Sequence, residues 1–234
     1  MTYRLTARYR RILMTAALMA GLLTTSLPTQ AGVVVGATRL VYEGDKKESS
    51  LTVSNPDASP YLIQSWVETA PSDENKAPFI LTPPLFRLDG GQQNVLRVVR
   101  VGGALAEDRE TLYWLNVKAI PSAVRQDNTL QIAIKTRIKL IFRPKALSGR
   151  QPESVGGQLT WRRVAGKLEV SNPTPFYMNF QGIKVNGLPV KDATYVAPFS
   201  SATLTLPGDG REVSWRLLND FGGAGQWLKG TVAG

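Results

Sequence analysis

Apolar and polar residues alternate along most of the chain in short runs, and turn chemistry cuts one run from the next. Residues 51–54, 61–68, 95–101, 112–119, 130–143, 167–171 and 202–206 are rich in Val, Ile, Leu, Thr and aromatics. Between them stand Asn55-Pro56, Pro83-Pro84, Asp89-Gly90-Gly91, Asn172-Pro173, Asn186-Gly187 and Gly208-Asp209-Gly210. Alternate residues of a strand share one face, so runs of period two bounded by Gly, Pro and Asn predict β-strands. After the first thirty or so residues no stretch sustains the 3.6-residue apolar period of a helix. Short strands at regular spacing with turns between them predict an all-β protein built from sandwiches.

The N-terminus has a different pattern. Arg4, Arg8, Arg10 and Arg11 precede an apolar run over residues 12–27, and Pro28-Thr29-Gln30-Ala31 follows. A basic start, a short apolar core and a small-residue terminus make a cleavable export signal, cut after Ala31. The run falls short of the roughly 20 apolar residues of a membrane span. About 200 residues remain, which suits two domains of about 100 each. The strand pattern gives way to Pro, Lys, Ser, Gly and Arg near residues 144–152. The expected division is therefore a signal over residues 1–31, a first domain over 32–146, a linker over 147–151 and a second domain over 152–234.

Two local features stand out. In one, Leu51-Thr52-Val53-Ser54-Asn55-Pro56 leads into Tyr61-Leu62-Ile63, and Leu168-Glu169-Val170-Ser171-Asn172-Pro173 leads into Phe176-Tyr177-Met178. Either the chain holds two copies of a related unit, or common turn chemistry matches by chance. In the other, residues 130–143 read LQIAIKTRIKLIFR, with Leu130, Ile132, Ile134, Ile138, Leu140 and Phe142 at even positions. Fully extended, that run spans about 45 Å, roughly twice an ordinary sandwich strand. It is either a long core strand or one whose first half extends past its own domain and shows Leu130, Ile132 and Ile134 to a partner.

Composition removes several kinds of chemistry. Without Cys or His, thiol nucleophiles, Cys/His metal sites and the commonest general base are all excluded. The net charge of +10 falls to +6 once the leader's four arginines are set aside. No basic run in the remainder forms a nucleic-acid stripe. Carboxylates are scattered among turns, and no Gly-rich phosphate loop follows a strand. An enzyme, a cofactor, a small-molecule substrate and a nucleic-acid partner are not expected.

Specific segments resemble one family. The block Arg109-Glu110-Thr111-Leu112-Tyr113-Trp114-Leu115-Asn116-Val117-Lys118-Ala119-Ile120-Pro121 is similar to a marker segment of PapD-like periplasmic pilus-assembly chaperones. Leu130-Gln131-Ile132-Ala133-Ile134, followed by residues 137–144, resembles the last strand of their first domain. Thr38-Arg39 with Val41, Tyr42 and Gly44 resembles the first strand, and Thr82-Pro83-Pro84 and Asn219-Asp220-Phe221-Gly222-Gly223 match further positions. Matches run in order over almost the whole mature chain. The second half is looser, and the disulfide that some members carry there is ruled out by the absence of Cys.

The resemblance implies two immunoglobulin-like β-sandwich domains set at an angle with a cleft between them. It implies a periplasmic chaperone that lends a strand to pilus subunits lacking one and delivers them to an outer-membrane usher. Leu130, Ile132 and Ile134 would fill the subunit's groove, since ladder bonds give sequence-tolerant affinity and alternate side chains give register. Arg39 and Lys139 would anchor the subunit's C-terminal carboxylate in the cleft. Glu110, Arg143 and Asp220 would form a charge network that ties the domains together. A short loop over residues 121–129 implies the short-loop subfamily, and an exposed apolar edge would invite association, which leaves both a monomer and a self-capped dimer open for the free protein. Lys139 has the opposite parity to Leu130, Ile132 and Ile134, so either a bulge or twist intervenes or the two halves of the strand face different surroundings. The competing function is a secreted immunoglobulin-like structural or adhesive pilus component, against which two domains starting almost at the mature terminus argue.

Overall fold

The structure is a computed structural model that describes residues 32–69, 76–122 and 130–234. The expected export signal and most of the 121–129 loop lie outside the described residues. Nine strands come first: β1 (Val34–Val35), β2 (Arg39–Glu43), β3 (Glu48–Ser54), β4 (Tyr61–Glu68), β5 (Phe79–Thr82), β6 (Leu85–Leu88), β7 (Gln93–Arg100), β8 (Thr111–Pro121) and β9 (Ile134–Arg143). Two short 3-10 turns, Lys145–Leu147 and Pro152–Gln158, follow them. Then come β10 (Thr160–Val164), β11 (Lys167–Asn172), β12 (Met178–Val185), β13 (Leu188–Pro189), β14 (Tyr195–Val196), β15 (Ser200–Leu204), β16 (Glu212–Leu218) and β17 (Ala224–Ala233).

The first nine strands make two sheets, in the orders β1-β3-β7-β5 and β2-β9-β8-β4-β6. Period-two alternation builds the core between them. Leu51 and Val53 of β3, Leu96 and Val98 of β7, Leu115 and Val117 of β8 and Ile138, Leu140 and Phe142 of β9 belong to one buried cluster. Each such side chain contributes roughly 1.5–3 kcal/mol on leaving water. Three residues separate β1 from β2, yet β1 pairs with β3 and β2 with β9, so the chain changes sheets there. Gly36 lies in that crossing, where a Cβ would approach the Thr52 carbonyl to 3.1 Å.

A second, separate core gathers Trp161, Leu168, Val170, Phe176, Met178, Phe180, Val213 and Trp215. Leu147, at the start of the expected linker, packs into this core. Strand β17 follows β16 as far as Thr231, then runs parallel to β10 from Val232, stitching the two layers together.

The repeated Ser-Asn-Pro segment is one structural device used twice. Asn55 Nδ2 donates to the Ser59 carbonyl at 2.8 Å, and its Oδ1 accepts from the Asp57 N–H at 3.1 Å. Asn172 Nδ2 donates to the Phe176 carbonyl at 2.8 Å, and its Oδ1 accepts from the Thr174 N–H at 3.0 Å. Both asparagines are buried, and each brackets the turn that starts the next strand by the same offsets of four and two residues.

The expected strand over residues 130–143 is shorter than its pattern suggests. The ladder begins at Ile134, opposite Ala119. Beyond Ala119, β8 has only Ile120 and Pro121, and a proline has no N–H to extend the ladder. Leu130 and Ile132 therefore precede the strand, and Ile134 is its first residue.

Candidate functional site

Strand β9 has two different halves. From Lys139 to Arg143 it lies between β8 and β2, which runs parallel to it. Over residues 134–138 the described residues place β8 on one side and no strand on the other. An unpaired row of N–H and C=O groups is a template for another chain. Leu130, Ile132 and Ile134 are 82, 63 and 58 % exposed, at the same parity as the core residues Ile138, Leu140 and Phe142. Ile134, the first residue of β9, thus extends the core face as open apolar surface, and Leu130 and Ile132 stand exposed just ahead of it.

No register shift interrupts the β8–β9 ladder. The parity difference is therefore a difference of faces: even positions of β9 point to the first core, and odd positions Lys139, Ile141 and Arg143 point away from it. That odd face is covered too, because Ile141 and Arg143 are buried. The second sandwich supplies contacts there.

Where the open edge ends, two cations meet. Arg39, the first residue of β2, is the direct register partner of Lys139. Arg39 is 8 % exposed, and its Nε has no hydrogen-bond partner. The Lys139 ammonium donates to Asn179 Oδ1 and sits 4.2 Å from the Tyr195 ring centroid. Burial pushes the Lys139 pKa down to about 8, and the Arg39 charge adds to the effect. Burial likewise draws Arg39 downward, against the more distant Asp220 and Glu153 carboxylates. Among the described residues neither cation has a carboxylate within ion-pair distance. Two partly desolvated positive groups held side by side form a strong binding point for an anion, and a guanidinium beside an ammonium suits a carboxylate.

Four residues further along both strands lies a second charged group. Arg143 Nε donates to Glu110 Oε1 at 2.8 Å, while Nη1 and Nη2 grip Asp220 Oδ2 and Oδ1 at 2.7 and 2.8 Å. Glu43, the register partner of Arg143, accepts from Nη1 at 3.3 Å. Glu110 Oε2 accepts the Tyr177 N–H at 2.7 Å, so its carboxylate bridges the two sandwiches. Burial pushes Glu110 up to about 7, against the pull of Arg143 and of the Tyr177 N–H. Burial works against the charge on Arg143 as well, but the Asp220 and Glu110 carboxylates outweigh it and hold the guanidinium protonated.

The structure thus groups Arg39 with Lys139, Glu110 with Arg143 and Asp220, and leaves Leu130, Ile132 and Ile134 outside the core. Sequence reasoning missed Glu43, Asn179 and Tyr195. Glu43 carried a signal, since Arg39 and Glu43 on one strand repeat the four-residue spacing of Lys139 and Arg143 on the other. Asn179 and Tyr195 carried none, because only the packing of one sandwich against the other brings them to Lys139. Among the described residues no His/Cys/Asp/Glu group could hold a metal, and no helix is long and apolar enough to cross a membrane.

Two immunoglobulin-like sandwiches, an open strand edge and a cation pair at its end describe an all-β, two-sandwich protein with an unpaired edge strand. Comparison with known proteins specifies the class. Residues 32–148 match the family model described as pili and flagellar-assembly chaperone, PapD N-terminal domain, and residues 154–227 match pili assembly chaperone PapD, C-terminal domain. The chain belongs to the PapD-like pilus-assembly chaperones, a family that assembles and does not catalyse. It is 41 % identical over 209 residues to the chaperone protein FocC of Escherichia coli, covering 86 % of this chain and 91 % of that one. With the chaperone protein FimC of Escherichia coli K12 it shares 42 % identity over 199 residues, covering 82 % and 81 %. Among solved structures, that of the Salmonella enterica SafA pilin in complex with the SafB chaperone aligns with TM-score 0.81 and 42 % identity, over 88 % of this chain and 98 % of that one. The E. coli chaperone DraB aligns with TM-score 0.79 and 41 % identity, over 86 % and 96 %.

Proposed function

We propose that this chaperone works in the periplasm, captures pilus subunits by lending them the exposed start of β9, and passes them to an outer-membrane usher. The observation that carries the reading is the open edge over residues 134–138 that ends at Arg39 and Lys139. β2 runs parallel to β9 and begins at Arg39, so a client strand laid on the open edge in line with β2 also runs parallel to β9. Its C-terminus then arrives at the two cations, which supply the counter-charge for a terminal carboxylate. Leu130, Ile132 and Ile134 enter the client's unfilled core, each worth roughly 1.5–3 kcal/mol before the cost of association. The export signal expected over residues 1–31 and domains dividing near residues 147–151 fit this reading.

The test is a tagged pull-down from native periplasm with wild type, Arg39→Ala and Lys139→Ala, captured proteins being identified by mass spectrometry. A small β-rich subunit retained by wild type and lost from both folded variants is the expected result. Equal recovery by all three would remove the carboxylate anchor, and wild type retaining no subunit from cells that assemble pili would remove strand donation.

A further inference from the structure

We infer that Asn179 and Tyr195 of the second sandwich form a neutral cradle that positions the Lys139 ammonium for a client carboxylate without neutralising it. The inference rests on the reading of Arg39 and Lys139 as a carboxylate anchor and extends that site to the other domain.

Two register pairs face each other. Arg39 and Lys139 are direct partners in the β2–β9 ladder of the first sandwich. Asn179 and Tyr195 are direct partners in the β12–β14 ladder of the second. Lys139 reaches from one pair to the other, donating to Asn179 Oδ1 with Nζ set over the Tyr195 ring at 4.2 Å.

Both members of the cradle are themselves held. Asn179 is buried, and its Nδ2 donates to the Tyr177 carbonyl at 3.4 Å, which fixes the amide with its oxygen toward the ammonium. The Tyr195 ring packs on Tyr177 with centroids 5.8 Å apart.

The chemistry of the cradle suits its place. A half-buried ammonium beside a guanidinium needs partners or it bends away or loses its proton. A carboxylate would satisfy it, and in doing so would occupy the position a client carboxylate needs and repel the client's charge. An amide oxygen and an aromatic face both attract a cation while carrying no net charge. An ammonium has three N–H donors, and Asn179 accepts one, so donors remain for a carboxylate held jointly with Arg39. Tyr177 ties the cradle to the neighbouring network as well, since its N–H binds Glu110.

Asn179→Asp gives the discriminating test, because it keeps the side chain's size and its grip on Lys139 but adds a charge. The probe is a synthetic peptide of alternating apolar residues and serine, made with a free C-terminal carboxylate and as the C-terminal amide. Binding is measured by calorimetry, and folding of each variant by thermal unfolding. Wild type should favour the carboxylate over the amide by about tenfold or more, the worth of a charge-assisted bond. Asn179→Asp should fold and lose that preference. Tyr195→Leu should weaken it, and Tyr195→Phe, which keeps the ring, should retain it. If Asn179→Asp and Tyr195→Leu keep the wild-type preference while Lys139→Ala loses it, the cradle is overturned and the anchor stands. If Lys139→Ala keeps it, or wild type shows none, the anchor falls and the cradle with it.

Discussion

At Lys139 the protein holds an ammonium where its surroundings disfavour charge, with a pKa near 8 against an ordinary 10.5. The unfolded chain therefore binds this proton more tightly than the native state does, so folding releases it between about pH 8 and 10.5 and stability rises with pH across that window. Client binding has the opposite dependence. A carboxylate at the site favours the charged form, so affinity should be level below pH 8 and fall as pH rises through it, by up to about tenfold per unit. Titration calorimetry across that range checks this, and Lys139→Arg, which stays charged, should flatten the profile. A different residue-scale prediction concerns Asn172, whose amide makes hydrogen bonds of 2.8 and 2.9 Å to the Phe176 and Ala197 carbonyls and accepts from Thr174. Asn172→Ala should cost about 3 kcal/mol in denaturant unfolding, because it orphans several buried groups at once; a loss below about 1 kcal/mol would mean water replaces the amide. The sequence showed Asn172 as half of a turn dipeptide and as part of a segment that echoes residues 51–56. Its bonds to the Phe176 and Ala197 carbonyls depend on where residues four and twenty-five positions later come to lie, which local pattern does not encode.

At the scale of the element, β9 combines a core half with an open-edged half, and under the proposed function its parity would keep packing and lending compatible. Ile138, Leu140 and Phe142 hold the strand in its own sandwich, while Ile132, just ahead of the strand, is 63 % exposed. Ile132→Asp should therefore leave the melting temperature within about 1 °C of wild type, since exposed positions seldom move stability by more than about 0.5 kcal/mol. The same substitution should abolish client capture, because it would place a charge in the client's core. A fall in melting temperature with capture intact would make Ile132 an ordinary packing residue. The alternation from residue 130 to 143 was plain in the sequence, as was the conflict between Lys139 and the apolar face. Its resolution was not, because a strand with both faces covered by different partners leaves the same period-two trace as a strand interrupted by a bulge. The end of the ladder at Ile134 depends on Pro121 of β8, a residue on the neighbouring strand that the pattern of residues 130–143 does not contain.

Across the whole molecule, Arg143 ties β9 and β2 to the second sandwich through Asp220 and Glu110. Desolvation offsets much of the attraction in so buried a group, so its main effect should be geometric. Asp220→Asn should alter the angle between the sandwiches and hence the small-angle scattering curve, and an unchanged curve would assign the network to local packing alone. The all-β class and the two-sandwich plan followed from strand spacing and length, since each depends on local alternation and chain count. The meeting of the two register pairs could not, because it depends on how one finished sandwich rests on the other. The cations at Arg39 and Lys139 stand at one end of the open edge, so on the proposed reading the site would work as a ruler with a fixed zero. A client strand would be measured backward from its last carboxylate, and the side chains that face inward would be set by counting from that end. Adding one residue to a client's C-terminus would put every apolar side chain out of phase with the groove, and adding two would restore the phase at a shifted reading.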